Sequence, residues 1–134
     1  MPTVTKDISV QDVVVKTVTF SFGDLNEDTA YEVMDLPPNS VILSGSFFTT
    51  AAWNSTTSDV IDLGDGASAT RYLSNGNIRA ASALVPLVPT GFVHTGGPLT
   101  ATWTAGTPDT ATTGTVRLIV QYVTLGKADS TYQY

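Results

Sequence analysis

Several residue types on which common protein chemistry depends are missing or rare in this 134-residue chain. It contains no cysteine, which excludes disulfides, thiolate zinc sites and a cysteine nucleophile. His94 is the one histidine, so a metal centre built from several histidines is excluded as well. Only 13% of the residues are charged, and 12 Asp and Glu against 6 Lys and Arg give a net charge of −6. That balance argues against nucleic acid as a partner, because nucleic-acid binding depends largely on Lys and Arg that neutralise phosphates.

Long apolar runs are also absent. Residues 1–8 are too polar to form the core of a signal peptide. No stretch approaches the roughly 20 apolar residues of a membrane-spanning helix. We therefore expect a protein that is made in a cytoplasm and has no membrane partner.

β-Branched residues dominate what is present. The chain has 22 Thr, 15 Val and 5 Ile, whereas the straight-chain helix formers Glu, Lys, Gln, Arg and Met total 13. β-Branched side chains fit a pleated, half-buried surface, so this composition predicts an all-β fold. The length is that of a single domain. About eight short antiparallel strands with turn signals between them favour a β-sandwich, with a jelly roll as the first choice and an immunoglobulin-like sandwich as the second.

Alternation of polar and apolar residues locates the strands. The predicted strands are 13–22, 30–36, 41–50, 59–63, 69–73, 92–94, 99–104 and 115–124. The alanine-rich segment 78–84, which ends just before Pro86, is the only helix candidate. The pair Asn75-Gly76 predicts a tight turn.

The strand predicted over 41–50 carries an aromatic residue on each face. Strict alternation places Phe47 and Phe48 on opposite faces, with Ile42 on the face of Phe48. This pattern predicts a strand that is covered on both sides or lies at an interface, and it favours a homo-oligomer. Gly45 marks either a bulge or a close approach of another backbone.

No constellation of catalytic residues emerges. A serine triad needs a histidine base with an orienting acid, but His94 lies in a Gly- and Pro-rich stretch and there is no Gly-x-Ser-x-Gly elbow. We interpret His94 as a surface histidine at a strand end. Most aspartates adjoin turn residues, which favours turn chemistry over paired catalytic carboxylates. We predict no catalytic residue and no cofactor.

The densest acidic segment contains Asp59, Asp62 and Asp65. Carboxylate oxygens are calcium ligands, but these three lack the EF-hand spacing. In a strand, Asp59 and Asp62 point to opposite faces. We therefore predict no metal site, although cation binding by these three carboxylates stays open.

Two tryptophans raise the question of a sugar-stacking platform. Trp103 shares an apolar strand face with Leu99, which predicts a core position. Trp53 lies where a strand gives way to a loop, so it is either a contact residue or a cap over the core. Glycan binding is thus an alternative that depends on Trp53.

A resemblance to a known family rests on the order of turns and strands. The residues that carry it are Val18-Thr19-Phe20, Gly23-Asp24-Leu25, Asp35-Leu36-Pro37-Pro38-Asn39-Ser40-Val41-Ile42, Asp59, Gly64-Asp65, Arg71-Tyr72-Leu73 and Gly114 to Tyr122. This order, which spans nearly the whole chain, resembles the jelly-roll cement or decoration proteins of tailed bacteriophages. The resemblance implies a non-enzymatic virion protein on the outer capsid surface, made in the host cytoplasm. It further implies a dimer or trimer that binds across neighbouring major capsid proteins and stabilises the expanded head.

The resemblance also suggests a division of the chain. Residues 1–12 form an N-terminal arm or edge strand, 13–125 the β-sandwich and 126–134 a C-terminal tail. The candidate protein-contact residues are Val4, Ile8, Phe48, Trp53, Tyr132 and Tyr134.

Three other functions stay open. The chain is alternatively a tail or fibre component of the virion. A carbohydrate-binding β-sandwich module requires Trp53 and a tyrosine exposed on one face. An enzyme requires a carboxylate and a hydroxyl within hydrogen-bond reach of His94.

Overall fold

The computed structural model describes residues 11–106 and 111–126, which form nine β-strands and one short 3-10 helix. The strands are β1 (Val13–Ser21), β2 (Ala30–Leu36), β3 (Ser40–Ala51), β4 (Asp59–Asp65), β5 (Leu73–Asn77), β6 (Leu84–Pro86), β7 (Val93–His94), β8 (Gly97–Ala105) and β9 (Thr115–Thr124). The 3-10 helix, Phe22–Asp24, directly follows β1. The all-β prediction is confirmed. Among the described residues there is no helix with the length and hydropathy of a membrane span.

The strands form two antiparallel sheets whose order is that of a jelly roll. Sheet A has the order β1-β9-β3-β6, with β7 pairing the other end of β3, and sheet B has the order β2-β8-β4-β5. The chain turns back between β4 and β5, so that β3 pairs β6 and β7, β2 pairs β8, and β1 pairs β9. One long hairpin ribbon is thereby wrapped into two facing sheets, as in a jelly roll. The β-sandwich prediction is confirmed.

The hydrophobic core lies between the two sheets. Sheet A supplies Val116, Leu118 and Val120 from β9, all with no exposed surface. Sheet B supplies Leu99 and Trp103 from β8, which are 0% and 2% exposed. Alternation predicts these inward positions correctly, because β8 and β9 contain no extra residue of their own: the register shifts beside them insert residues into β2 and β3.

Strand β3 departs from strict alternation. Its pairing with β9 shifts register between Ile42 and Ser44, so one extra residue, Leu43, opposes no partner. A bulge of this kind reverses which face the following residues occupy. Ile42 and Phe47 therefore both face the core, at 2% and 0% exposure, while Leu43 is exposed. The predicted placement of Ile42 on the face of Phe48 is wrong for this reason.

Gly45 lies next to this bulge and fulfils its expected role. A Cβ atom built on Gly45 would lie 2.5 Å from the carbonyl oxygen of Ile119 and 2.7 Å from the Leu87 side chain. Only a glycine lets β9 and the Leu87 segment approach β3 so closely.

Two local predictions for residues 69–84 are wrong. Asn75 and Gly76 do not form a tight turn but lie inside β5, where Gly76 pairs Ile61 of β4 and Asn75 falls at a register shift. Asn75 takes up the positive φ of 55° that this irregularity needs, a conformation that asparagine tolerates. The predicted strand over 69–73 is replaced by bends and a turn up to residue 72.

The segment 78–84 is not a helix. Ser82 has a φ of 61°, which interrupts any helix, and Leu84 begins β6. The backbone bonds to β3 instead, since Ser82 N–H donates to the Thr49 carbonyl and Thr49 N–H donates to the Ala83 carbonyl. These bonds to β3 satisfy the backbone N–H and C=O groups of this segment, which would otherwise bond to each other within a helix.

Candidate functional site

The two sheets differ in charge. The five described strands of sheet A contain Lys16 and Arg117 but no Asp or Glu. The four described strands of sheet B contain five acidic residues and no Lys or Arg. These acidic residues are Glu32, Asp35, Asp59, Asp62 and Asp65. The sandwich is therefore electrostatically polarised from one sheet to the other.

We call the solvent side of sheet A face A. Residues paired directly across antiparallel strands point to the same side of a sheet. One row on this side runs from Thr19 through Arg117 and Phe48 to Leu84, across β1, β9, β3 and β6. The Arg117 guanidinium lies 5.3 Å from the centre of the Phe48 ring, and Leu84 is 64% exposed. This row combines a cation, an aromatic ring and an exposed aliphatic side chain.

A second row at the opposite end of face A is entirely valine. Val13 pairs Val123, Val123 pairs Val41, and Val41 pairs Val93. Val13 and Val93 are 56% and 41% exposed. Further exposed aliphatic side chains, those of Val15, Leu43 and Leu125, belong to the same strands or to the residue after β9. Face A is thus apolar at both ends, whereas exposed aliphatic residues on most protein surfaces are scattered singly.

The solvent side of sheet B, face B, has different chemistry. Its central strand β8 presents Thr100, Thr102 and Thr104. Glu32 pairs Thr100 and Asp62 pairs Thr102, which places carboxylates beside this row of threonines. A threonine and carboxylate surface is well hydrated and favours contact with solvent.

A buried carboxylate ties the loop before β4 to sheet B. Asp59 has no exposed surface and accepts hydrogen bonds from the Ser55 hydroxyl at 2.5 Å, the Ser55 N–H at 3.1 Å and the Trp103 indole N–H at 3.0 Å. The Arg79 Nη1 atom lies 3.7 Å from the second carboxylate oxygen. All of these groups satisfy Asp59 from within the protein, so this residue has a structural role.

A second ion pair closes the turn between β4 and β5. The Arg71 Nε atom donates to Asp65 Oδ2 at 2.6 Å, and the N–H groups of Ala67 and Ser68 donate to Oδ1. Burial alone would raise the pKa of Asp65, but these hydrogen bonds and the Arg71 charge together hold that pKa below its ordinary value. The Arg71 guanidinium also stacks on the Phe92 ring, 3.6 Å from its centre.

His94 lines a small cleft together with Asp65 and Phe92. It is 4% exposed, so the interpretation as a surface histidine is wrong, although it does lie at a strand end, as the last residue of β7 opposite Ser40 of β3. Its Nδ1 atom accepts a hydrogen bond from the Gly96 N–H at 3.1 Å. Within the described chain no carboxylate or hydroxyl bonds to its ring, so the arrangement that a His94-based hydrolase requires is not formed there.

The three carboxylates considered for calcium are kept apart. Asp59 points into the core, Asp62 points to face B and binds the Asn75 N–H at 2.6 Å, and Asp65 is bound to Arg71. Among residues 11–106 and 111–126, no group of three potential ligands could hold a metal ion.

Trp53 and Trp103 pack against each other in the core, with ring centres 5.1 Å apart. Trp103 is 2% exposed, as predicted, and Trp53 is 1% exposed. Of the two roles considered for Trp53, a cap over the core agrees with this burial. The role of a contact residue does not, because the side chain offers no surface to a partner. A sugar-stacking platform based on Trp53 is overturned for the same reason.

Of the other predicted contact residues, the structure places Phe48 on face A, half-buried under Arg117. Val4, Ile8, Tyr132 and Tyr134 lie outside the described residues. The sequence reasoning missed Leu84, because it assigned this residue to a helix. The signal that points to face A is the separation of basic and acidic residues, but it is visible only when strands are sorted by sheet.

Comparison with known proteins adds three solved structures. No protein-family model matches the sequence, and no curated protein matches it significantly. A chain in the capsid asymmetric unit of cyanophage Pam1 is 24% identical, with a TM-score of 0.67 over 92% of this chain and 91% of that one. A chain in the acid-stable capsid of the Helicobacter pylori bacteriophage KHP30 is 14% identical, with a TM-score of 0.64 over 86% and 90%. A chain in the capsid of Ralstonia phage GP4 is 15% identical, with a TM-score of 0.59 over 92% and 90%.

These three matches establish a shared fold. In each case the alignment covers a similar, large share of both chains, so the matched chains are of about the same length as this one. The shared unit is thus nearly the whole jelly roll. The predicted resemblance to phage capsid structures is confirmed at the level of fold.

Proposed function

We propose that this chain is a structural component of a bacteriophage virion and acts as a cement protein on the capsid. The observation that carries the proposal is the agreement of nearly the whole jelly roll with chains of similar length in the capsids of three phages. In this proposal the chain binds the major capsid protein on the outer surface of the head and stabilises the expanded shell.

The chemistry of the described residues supports a binding role. Their carboxylates, arginines and His94 are engaged in structural contacts or lie apart, rather than converging on one cleft. A face rich in Val, Thr and Ser loses little side-chain entropy on packing against another protein. Many weak contacts that symmetry repeats over a shell become strong together.

The proposal includes self-association as a dimer or trimer. Strand β1 forms one edge of sheet A within the described chain, and Val13, Val14 and Val15 on it are all exposed. An exposed apolar edge strand favours pairing with a second chain. Light scattering of the purified protein at high micromolar concentration should report a dimer or trimer, and a monomer at that concentration would contradict this part of the proposal.

The test of the proposed function is the distribution of the chain between particles and soluble protein. Lysate of the producing culture is banded in a density gradient, and mass spectrometry quantifies this chain in each fraction. We expect it with DNA-filled heads at a copy number comparable to that of the capsid protein. A few copies per particle would indicate a tail or fibre component instead. Recovery only in the soluble fraction would overturn a virion role.

A further inference from the structure

We propose that face A docks on a different protein of the shell, that this partner presents a carboxylate within an apolar patch opposite Arg117, and that face B stays in solvent. The inference rests on the proposed function and deepens it, because it assigns the contact face, the orientation of the chain and the chemistry of the partner.

The first argument is the unmatched charge of Arg117. Its side chain is exposed, and no described acidic residue forms an ion pair with it. The chain has twice as many acidic as basic residues, yet the described strands of sheet A contain none of the acidic ones. A partner carboxylate would complete the bidentate pairing for which a guanidinium is suited.

The second argument is the apolar patch beside this cation. Phe48 lies beneath the guanidinium, Leu84 pairs Phe48 on the neighbouring strand, and Pro86 follows on the same side of β6. Among the described residues, Leu84 is the most exposed of the large hydrophobic ones. Arginine and aromatic side chains at the centre of an apolar patch are typical of the residues that dominate binding energy in protein interfaces.

A second copy of this chain fits face A poorly. A two-fold contact of face A with itself would supply no carboxylate for Arg117, because the described strands of sheet A contain no Asp or Glu. A head-to-tail contact of face A with face B would supply carboxylates but would oppose Leu84 and Phe48 to the threonines of β8. Such a head-to-tail contact also repeats from copy to copy, into a ring where the rotation closes and into a filament where it does not. A different shell protein is therefore the occupant that the charges favour.

Competition during particle assembly tests the contact face. Arg117→Glu and Leu84→Asp are each supplied in trans with a distinguishable tag while the producing culture also makes the wild-type chain. Matched controls on sheet B are Glu32→Arg, which reverses one exposed charge, and Thr102→Asp, which adds one acid to a strand. Mass spectrometry then gives the ratio of variant to wild type in banded heads relative to the soluble pool. Urea unfolding of each purified variant shows that it is folded.

We expect both face A variants to be depleted from heads by about thirtyfold or more, the usual effect of removing one partner of a buried charge pair or a central apolar anchor. The two face B controls should enter heads at a ratio near that of wild type. If the folded face A variants entered heads as often as the wild-type chain, the inference would be overturned. The proposed function would still stand in that case, because the wild-type chain would be present in heads. Absence of the wild-type chain from heads would overturn the proposed function itself.

A zero-length cross-link tests the partner's chemistry. Heads that contain the Arg117→Lys variant are treated with a carbodiimide, which activates a carboxylate. The lysine amine then forms an amide with it, and the activating group leaves as the urea. We expect a cross-linked peptide from residue 117 to an Asp or Glu of a different shell protein. A cross-link to Glu32 or Asp62 of this chain would show a second copy on face A and would overturn the inference.

Discussion

At the scale of single residues, we expect the largest loss of stability from a substitution of Asp59. Its carboxylate is completely buried and accepts bonds from Ser55 and Trp103, with Arg79 opposite. Asp59→Ala leaves these donors without an acceptor, so we expect a loss of about 3–5 kcal/mol in the free energy of unfolding. Urea denaturation at low temperature, where the variant stays folded, measures this loss.

The control for Asp59 is Asp35, which lies exposed on sheet B with no side-chain hydrogen bond among the described residues. Asp35→Ala removes the same charge and should change the unfolding free energy by less than about 0.5 kcal/mol. If the two variants lost equal stability, net charge rather than the buried bonds would explain the effect.

Asp65 gives the fold a dependence on acid pH. Its folded pKa lies below the unfolded value near 3.8, because the bonds from Arg71, Ser68 and Ala67 outweigh burial. A lowered carboxyl pKa stabilises the fold fully above the unfolded value, and this contribution is lost as the pH falls through the folded pKa. Asp65→Asn should therefore lose about 2 kcal/mol of unfolding free energy at pH 7 and much less at pH 2.

Parallel urea titrations of wild type and Asp65→Asn between pH 7 and pH 2 check this prediction. The difference between the two proteins should be constant down to about pH 4 and then shrink. A difference that stayed the same at pH 2 would show that the asparagine disturbs the turn sterically rather than electrostatically.

These two aspartates show why the sequence predicted residue roles only in part. The turn interpretation suits Asp65, which bonds the N–H groups of Ala67 and Ser68 just after it. Nothing local marks Asp59 as buried, because two of its partners, Arg79 and Trp103, come from distant parts of the chain. Such a bond depends on sheet pairing, which a local pattern does not encode.

At the scale of single elements, alternation predicts the bounds of some strands well and fails at irregularities. Strands β2 and β9 have the predicted bounds, and the inward residues of β9 are as predicted. The extra residue Leu43 in β3 reverses the alternation, and the irregularity at Asn75 turns an expected hairpin turn into part of β5. Both irregularities arise from pairing with a neighbouring strand, so the sequence of one strand does not reveal them.

Gly45 tests the close packing of β3 against its neighbours. The Cβ atom that Gly45→Ala adds would meet the Ile119 carbonyl oxygen and the Leu87 side chain well inside van der Waals contact. We expect the variant to lose about 2 kcal/mol in unfolding free energy, since an overpacked strand must shift. Chemical denaturation measures it against Gly23→Ala, where nothing lies within 4 Å of the new Cβ. Comparable losses in both variants would contradict the packing argument.

At the scale of the whole molecule, the composition is sufficient to predict the fold class but not the contact face that we propose. A high content of Thr, Val and Ile predicts β-structure wherever those residues lie. Face A exists only because the strands that lack acidic residues come together in one sheet. These strands are β1, β3, β6, β7 and β9. The jelly-roll wrapping sorts the strands in this way, so the polarity of the sandwich follows from topology.

A cement protein must stabilise the particle as well as bind it, and this last prediction separates the two. Heads from a culture that lacks this chain should release DNA at a lower temperature than complete heads, because each bound copy favours the assembled state by mass action. Purified wild-type protein should restore the release temperature, with each tenfold rise in free concentration above the dissociation constant adding about 1.4 kcal/mol per site. A fluorescent DNA stain reports release during a thermal ramp, and Arg117→Glu at equal concentration should restore little. If wild-type protein occupied its sites on the heads without raising the release temperature, the chain would decorate the capsid without stabilising it, which would contradict the cement role.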